Sequence, residues 1–116
     1  MKQRDLMIGD WVYSTFSDKP CQVLNFEESI NGYGIVKVDN VYGVKDIASI
    51  SPIPLTYEFL RKIFPNINDG VYWCARKGKY EVRMENGDNK IKVLIEYVHE
   101  LQHALRLCGI EKEVEL

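Results

Sequence analysis

The string His99-Glu100-Leu101-Gln102-His103 is the one catalytic-looking pattern in the 116-residue chain. Histidines four residues apart lie one helical turn from each other, so both rings can ligate one zinc ion while the glutamate acts as general base on its bound water. A zinc-dependent hydrolase also needs a third protein ligand, and here the pattern fails. The variant with a nearby third histidine requires Gly and His where this chain has Arg106 and Gly109. Glu111, Glu113 and Glu115 would have to fold back on the helix to serve, and Cys74 would have to be recruited from elsewhere. The favoured reading places His99 and His103 on a solvated helix face, with Glu96 and Glu100 each three residues before a histidine and able to pair with it. Metal ligation by His99 and His103 with Glu100 as catalytic base stays as an alternative; neither a metal nor any other cofactor is expected.

Two further groups of residues have types suited to binding. Trp11, Tyr13, Tyr33 and Tyr42, with Phe16 and Trp73 beside them in composition, supply aromatic surface for a protein or peptide partner. Between Val71 and Lys92 the basic residues Arg76, Lys77, Lys79, Arg83, Lys90 and Lys92 outnumber Glu81, Glu85 and Asp88. If this stretch is a meander, alternation turns Arg83, Lys90 and Lys92 away from the apolar face, a modest phosphate-contacting patch and the basis of a nucleic-acid alternative. The competing reading is a solvated face on which Glu81 and Glu85 pair with those bases across strands. It is favoured because the net charge is −2 and no nucleic-acid-reading motif is present.

The elements that must position these residues follow from periodicity. A helix from about Glu96 to Cys108 carries Tyr97, Val98, Leu101, Ala104, Leu105 and Cys108 on one apolar stripe and Glu96, His99, Gln102, His103 and Arg106 opposite, with Gly109 as its left-handed cap. The stripe needs a sheet to cover. VYWCAR, KYEVRME and KIKVLI, joined at Lys77-Gly78 and Asn86-Gly87-Asp88-Asn89, supply a three-stranded meander with one apolar face. Before it, Thr56 caps a short helix, roughly Tyr57 to Phe64, that Pro65 ends. Asp5 to Ile53 splits into WVYSTF, CQVLNFEE, YGIVKV, VYGVK and a last strand near Ile50, punctuated by Gly9-Asp10, Ser17 to Pro20, Asn31-Gly32 and Asp39-Asn40. A strand opening on Gly-Asp-Trp, a longer polar loop, three tightly joined strands, one helical turn near Asp46 to Ser49 and a final strand ending in proline is the layout of SH3-like barrels. The expected fold is α+β: an SH3-like small β-barrel over residues 1–55, then helix, meander and C-terminal helix over 56–116, packed as one unit with it.

Hydrophobic content of 46%, charged content of 28% and a mean hydropathy of −0.25 are ordinary for a globular domain. Cys21, Cys74 and Cys108 form no CxxC pair and read as reduced thiols of a cytoplasmic protein. No stretch approaches membrane-spanning length, so no membrane partner is expected; the expected state is a monomer or weak homodimer. Nucleophile elbow, Walker loop and dinucleotide fingerprint are all missing.

Three segments, DLMIGDWVY, ISPIPLTYEFL and YVHELQHALRLCGI, together resemble a family of short uncharacterised proteins of anaerobic gut bacteria and their phages and mobile elements. The resemblance spans essentially the whole chain and implies no known activity. It implies that the second histidine of the helix is not a fixed part of the pattern, which weighs against zinc at His103. It also favours a binding or accessory role, in a phage or mobile-element setting, over a metabolic one.

Overall fold

The computed structural model describes residues 6–28, 34–43, 45–65 and 70–116, and the chain divides into two units, Met1–Ile53 and Pro54–Leu116. Among the described residues, two α-helices and two antiparallel sheets make the class α+β.

The first unit is a five-stranded antiparallel sheet of β1 (Trp11–Ser14), β2 (Cys21–Glu28), β3 (Gly34–Val38), β4 (Lys45–Asp46) and β5 (Ile50–Pro52), in the order β4-β3-β2-β1-β5. Alternation along β1 buries Val12 and Ser14 and turns Trp11 and Tyr13 to the other face. Val12 joins Leu6, Cys21, Val23, Val36, Val38 and Ile50 in one apolar core. The chain enters β1 through a turn whose hub is the fully buried Asp10: its carboxylate accepts from Met7 N (2.8 Å), and its carbonyl accepts from Val23 N (2.9 Å). The expected helical turn is a 3-10 turn at Ile47–Ser49, directly before β5. Among the described residues no ladder joins the edge strands β4 and β5, so a closed barrel is not formed. Of the expected strand Val41 to Lys45, Val41 to Gly43 form a bend and Lys45 joins Asp46 in β4, while Val44 lies outside the described residues; Asn40 (φ 62°) and Gly43 (φ 75°) take left-handed backbone that bends the chain out of a ladder. The Asn31-Gly32 turn expected between β2 and β3 lies outside the described residues.

The second unit opens with α1 (Tyr57–Ile63), capped by the Thr56 hydroxyl accepting from Phe59 N at 3.2 Å, and buries Leu60, Ile63 and Phe64. β6 (Val71–Arg76), β7 (Lys79–Asn86) and β8 (Asn89–Ile95) form the expected meander in the order β6-β7-β8. Lys77 (φ 48°) and Gly78 (φ 83°) are both left-handed, as a two-residue type I′ hairpin requires. Directly paired residues share a face, so the registers Val71–Met84–Ile91 and Trp73–Val82–Val93 define the inner side and Tyr72–Arg83–Lys92 and Cys74–Glu81–Leu94 the outer side.

α2 (Val98–Leu107) runs against β8 and ends in a Schellman motif: Ile110 N donates to Leu105 O (2.9 Å), Gly109 N donates to Arg106 O (3.1 Å), and Gly109 sits at φ 73°. The Asn86 side-chain amide donates to the Cys108 and Gly109 carbonyls, tying the helix end to the β7–β8 turn. Val98, Leu101, Ala104, Leu105 and Cys108 are buried as the stripe predicts. His99 and Gln102 are buried too, which corrects their expected place on a solvated face. The helix is covered over a wider arc than one stripe, because the His99 ring stacks on Tyr97 (5.9 Å, 12°) and meets His103 edge-on (5.6 Å, 75°). Among the described residues no helix is long and apolar enough to cross a membrane.

Candidate functional site

α2 begins at Val98, which places Glu100 at the third helical position rather than mid-helix. Its Oε1 accepts from Glu96 N and from Tyr97 N, both at 3.0 Å. These backbone amides precede the first helical hydrogen bond and have no partner within the helix, so the carboxylate completes the helix start. His103 is half-buried at the end of the Tyr97–His99–His103 ring row. Among the described residues no three His, Cys, Asp or Glu side chains are grouped so as to hold a metal ion. Cys74 stands on the outer side of the meander, with its thiol 3.5 Å from Glu81 Oε2.

That outer side carries a group of ion pairs centred on Glu81. Glu81, in the middle strand, is only 7% exposed although it lies on the face away from the apolar side. Arg76 Nε lies 2.9 Å from its Oε2, Lys92 Nζ 2.9 Å from Oε1, and Arg83 Nη2 3.9 Å from Oε1. The register explains the convergence: Arg83 follows Glu81 by two residues on β7, Lys92 is the partner of Arg83 on β8, and Arg76 reaches across from the end of β6. The hydrogen bond from Lys92 holds the Glu81 carboxyl below the ordinary glutamate range, with Cys74 and Arg76 acting the same way. Three cations around one carboxylate leave two positive charges, carried on side chains that are each well over half exposed. Lys90 is exposed and pairs in register with Glu85 at the rim. Tyr72 and Leu94, 51% and 55% exposed, add apolar surface to the same face.

Two hollows flank β6. One, of about 450 Å³, lies on the outer side and is lined by Tyr72, Cys74, Arg76, Glu81, Arg83 and Glu85. The other, of about 440 Å³, lies between α1 and β6 and is lined by Tyr57, Arg61, Phe64, Val71 and Trp73. Tyr57 packs edge-on against Trp73 (5.0 Å, 76°), and Trp73 against Tyr80 (6.4 Å, 71°), so the two rings that wall the second hollow, Tyr57 and Trp73, brace each other.

In the first unit Trp11 is half-buried and Tyr13 is 42% exposed, both on the outer face of β1, whereas Tyr42 projects alone at 98% exposure from the bend before β4. Phe16 is 57% exposed, with the Lys45 ammonium 4.4 Å from its ring centre. Tyr33 lies outside the described residues. Reading the sequence places Arg83 and Lys92 on the correct face but misses Tyr57, Arg61 and Tyr72; Tyr57 and Arg61 belong to a short helix whose neighbour in space is a strand at least eight residues further along. No protein-family model, curated protein or solved structure matches the chain.

Proposed function

We propose that the protein is a non-catalytic binding module for an acidic protein or peptide partner, which it takes on the outer side of the meander. The observation that carries this reading is the burial of Glu81 under Arg76, Arg83 and Lys92. The carboxylate fixes three long cationic side chains that would otherwise lose rotamer freedom on meeting a ligand, and it neutralises one of their charges. A preorganised pair of spare charges beside exposed Tyr72 and Leu94 suits a ligand with both carboxylates and apolar groups. A nucleic acid is the second reading; the net charge of −2 and the small size of the patch argue against it. For the first unit, the order β4-β3-β2-β1-β5 with a 3-10 turn before β5 supports an SH3-like layout, a fold that assigns no function by itself.

The test is fluorescence anisotropy at low salt with labelled poly-L-glutamate and with a labelled DNA duplex. Poly-glutamate should bind with salt-dependent affinity, and R76E/R83E should abolish binding. Absence of poly-glutamate binding at tens of micromolar protein overturns the reading, and so does binding of DNA alone.

A further inference from the structure

We propose that the partner is bound as an added β-strand along the free edge of β6, with acidic side chains on the outer side and apolar side chains in the hollow beside α1. The inference rests on the binding reading above and states its geometry. β6 is an outermost strand: it pairs with β7 on one side, and among the described residues no strand pairs with its other side. An exposed edge presents a row of unpaired amides and carbonyls, which is the template used in peptide recognition by strand addition.

The register says which amides face outward. In a two-residue hairpin the residues flanking the turn, here Arg76 and Lys79, exchange hydrogen bonds, and the pattern alternates from there. Cys74 and Tyr72 therefore bond to β7, and the Glu85 N to Gly70 O bond of 2.8 Å falls in the same phase. Val71, Trp73 and Ala75 are left with amides and carbonyls pointing away from the sheet. A strand laid on them would alternate its own side chains between the two hollows that flank β6. Side chains on one side would meet Arg76 and Arg83, and those on the other Tyr57, Phe64 and Trp73.

Charge decides the occupant. A second copy pairing edge to edge would set each Arg76 and Arg83 beside the other copy's basic outer face, whereas a strand with carboxylates toward the Arg76 end of β6, away from Glu85 beside Gly70, meets opposite charge. The ligand class is thus an extended segment of about six residues, matching the length of β6, with acidic and aromatic or branched residues in alternation.

The probe is a labelled synthetic peptide alternating glutamate with valine and tyrosine, compared with a peptide of the same composition in two blocks. The alternating peptide should bind at least about tenfold more tightly, the equivalent of one to two net backbone hydrogen bonds. In the intact wild-type chain, amide exchange followed by NMR should slow at least about tenfold at Val71, Trp73 and Ala75 when the peptide saturates, with Tyr72 and Cys74 already protected before it is added. A75P, which removes one outward amide on an edge strand where proline is tolerated, should weaken the alternating peptide to the affinity of the block peptide. Equal affinity for the two peptides, or unchanged exchange at the three amides under saturation, overturns strand addition. Retained poly-glutamate binding in that event leaves the basic face standing as the site, and loss of both removes the binding reading as well.

Discussion

The role of Glu100 as a helix cap makes a quantitative prediction. Its carboxylate accepts two backbone hydrogen bonds of 3.0 Å, from Glu96 N and Tyr97 N, at the positive end of the α2 dipole. Replacement by alanine removes the one oxygen that accepts both bonds, but the freed amides lie at a helix start that water can reach, so the full cost of two buried unpaired donors does not apply. A capping loss of about 1–2 kcal/mol is expected for E100A, and about half of that for E100Q, whose amide oxygen keeps one neutral acceptor. At roughly 2.1 cal/mol/K per residue, 116 residues convert this to a Tm decrease of about 4–8 °C for E100A. Each unit contains one tryptophan, Trp11 and Trp73, so a W11F background reports the second unit alone. Urea unfolding followed by Trp73 fluorescence should show a lower midpoint at unchanged slope. H103A, which touches neither hydrogen bond, is the comparison. If E100A unfolds within about 0.3 kcal/mol of the parent, the carboxylate is not holding the helix start and the capping reasoning is wrong.

Two further perturbations test the frame around the candidate surface. Gly70 sits at φ 76°, and a Cβ placed there would come 2.6 Å from the Glu85 carbonyl oxygen, whereas a Cβ on Gly78 (φ 83°) meets nothing within 4 Å. G70A should therefore cost more than about 2 kcal/mol and G78A only about 1 kcal/mol, compared by thermal melts; equal costs would show that the backbone at Gly70 moves freely. Glu81 has its carboxyl lowered in the folded state by Lys92 first and by Cys74 and Arg76 with it. Its contribution is present above the ordinary glutamate value of about 4.3 and is lost as pH falls through the lower folded value. Melting temperatures measured from about pH 6 down to about pH 3 should fall more steeply for the wild type than for E81Q, and parallel curves would refute the pairing.

The elements governed by local backbone chemistry are legible in the residues: the Thr56 cap, the Lys77-Gly78 hairpin and the Gly109 terminus each rest on a preference that needs no tertiary partner. The strand alternation likewise puts Arg83 and Lys92 on one face correctly. What depends on elements meeting in space is not legible. A helical wheel assigns α2 one covered side and so exposes His99 and Gln102, but burial also comes from Tyr97, a neighbour on the chain outside the helix. The Glu81 cluster requires the three-strand register, because Arg76, Arg83 and Lys92 are distributed over β6, β7 and β8. The free edge of β6 requires the strand order, which alternation does not specify.

The same five residues, His99 to His103, can serve catalysis or folding, and the helix start decides which chemistry the glutamate is available for. In a zinc site the string lies within a helix, where the backbone amides are already bonded four residues back and the carboxylate has no competing acceptor role. Here the helix begins one residue before the string, so the glutamate lies within reach of amides that have no partner in the helix, and it bonds to two of them. Both bonds fall on Oε1, so that oxygen would have to release them before it could take a proton from a water, and the helix start sets where the carboxylate points. Shifting the start upstream is thus the physical condition for recovering the other reading: a variant that extends α2 by a full turn before Val98 would free Glu100 while leaving the spacing of the imidazoles intact. Zinc titration of that extended helix, with the parent chain alongside, separates the spacing of the two histidines from the engagement of the glutamate between them.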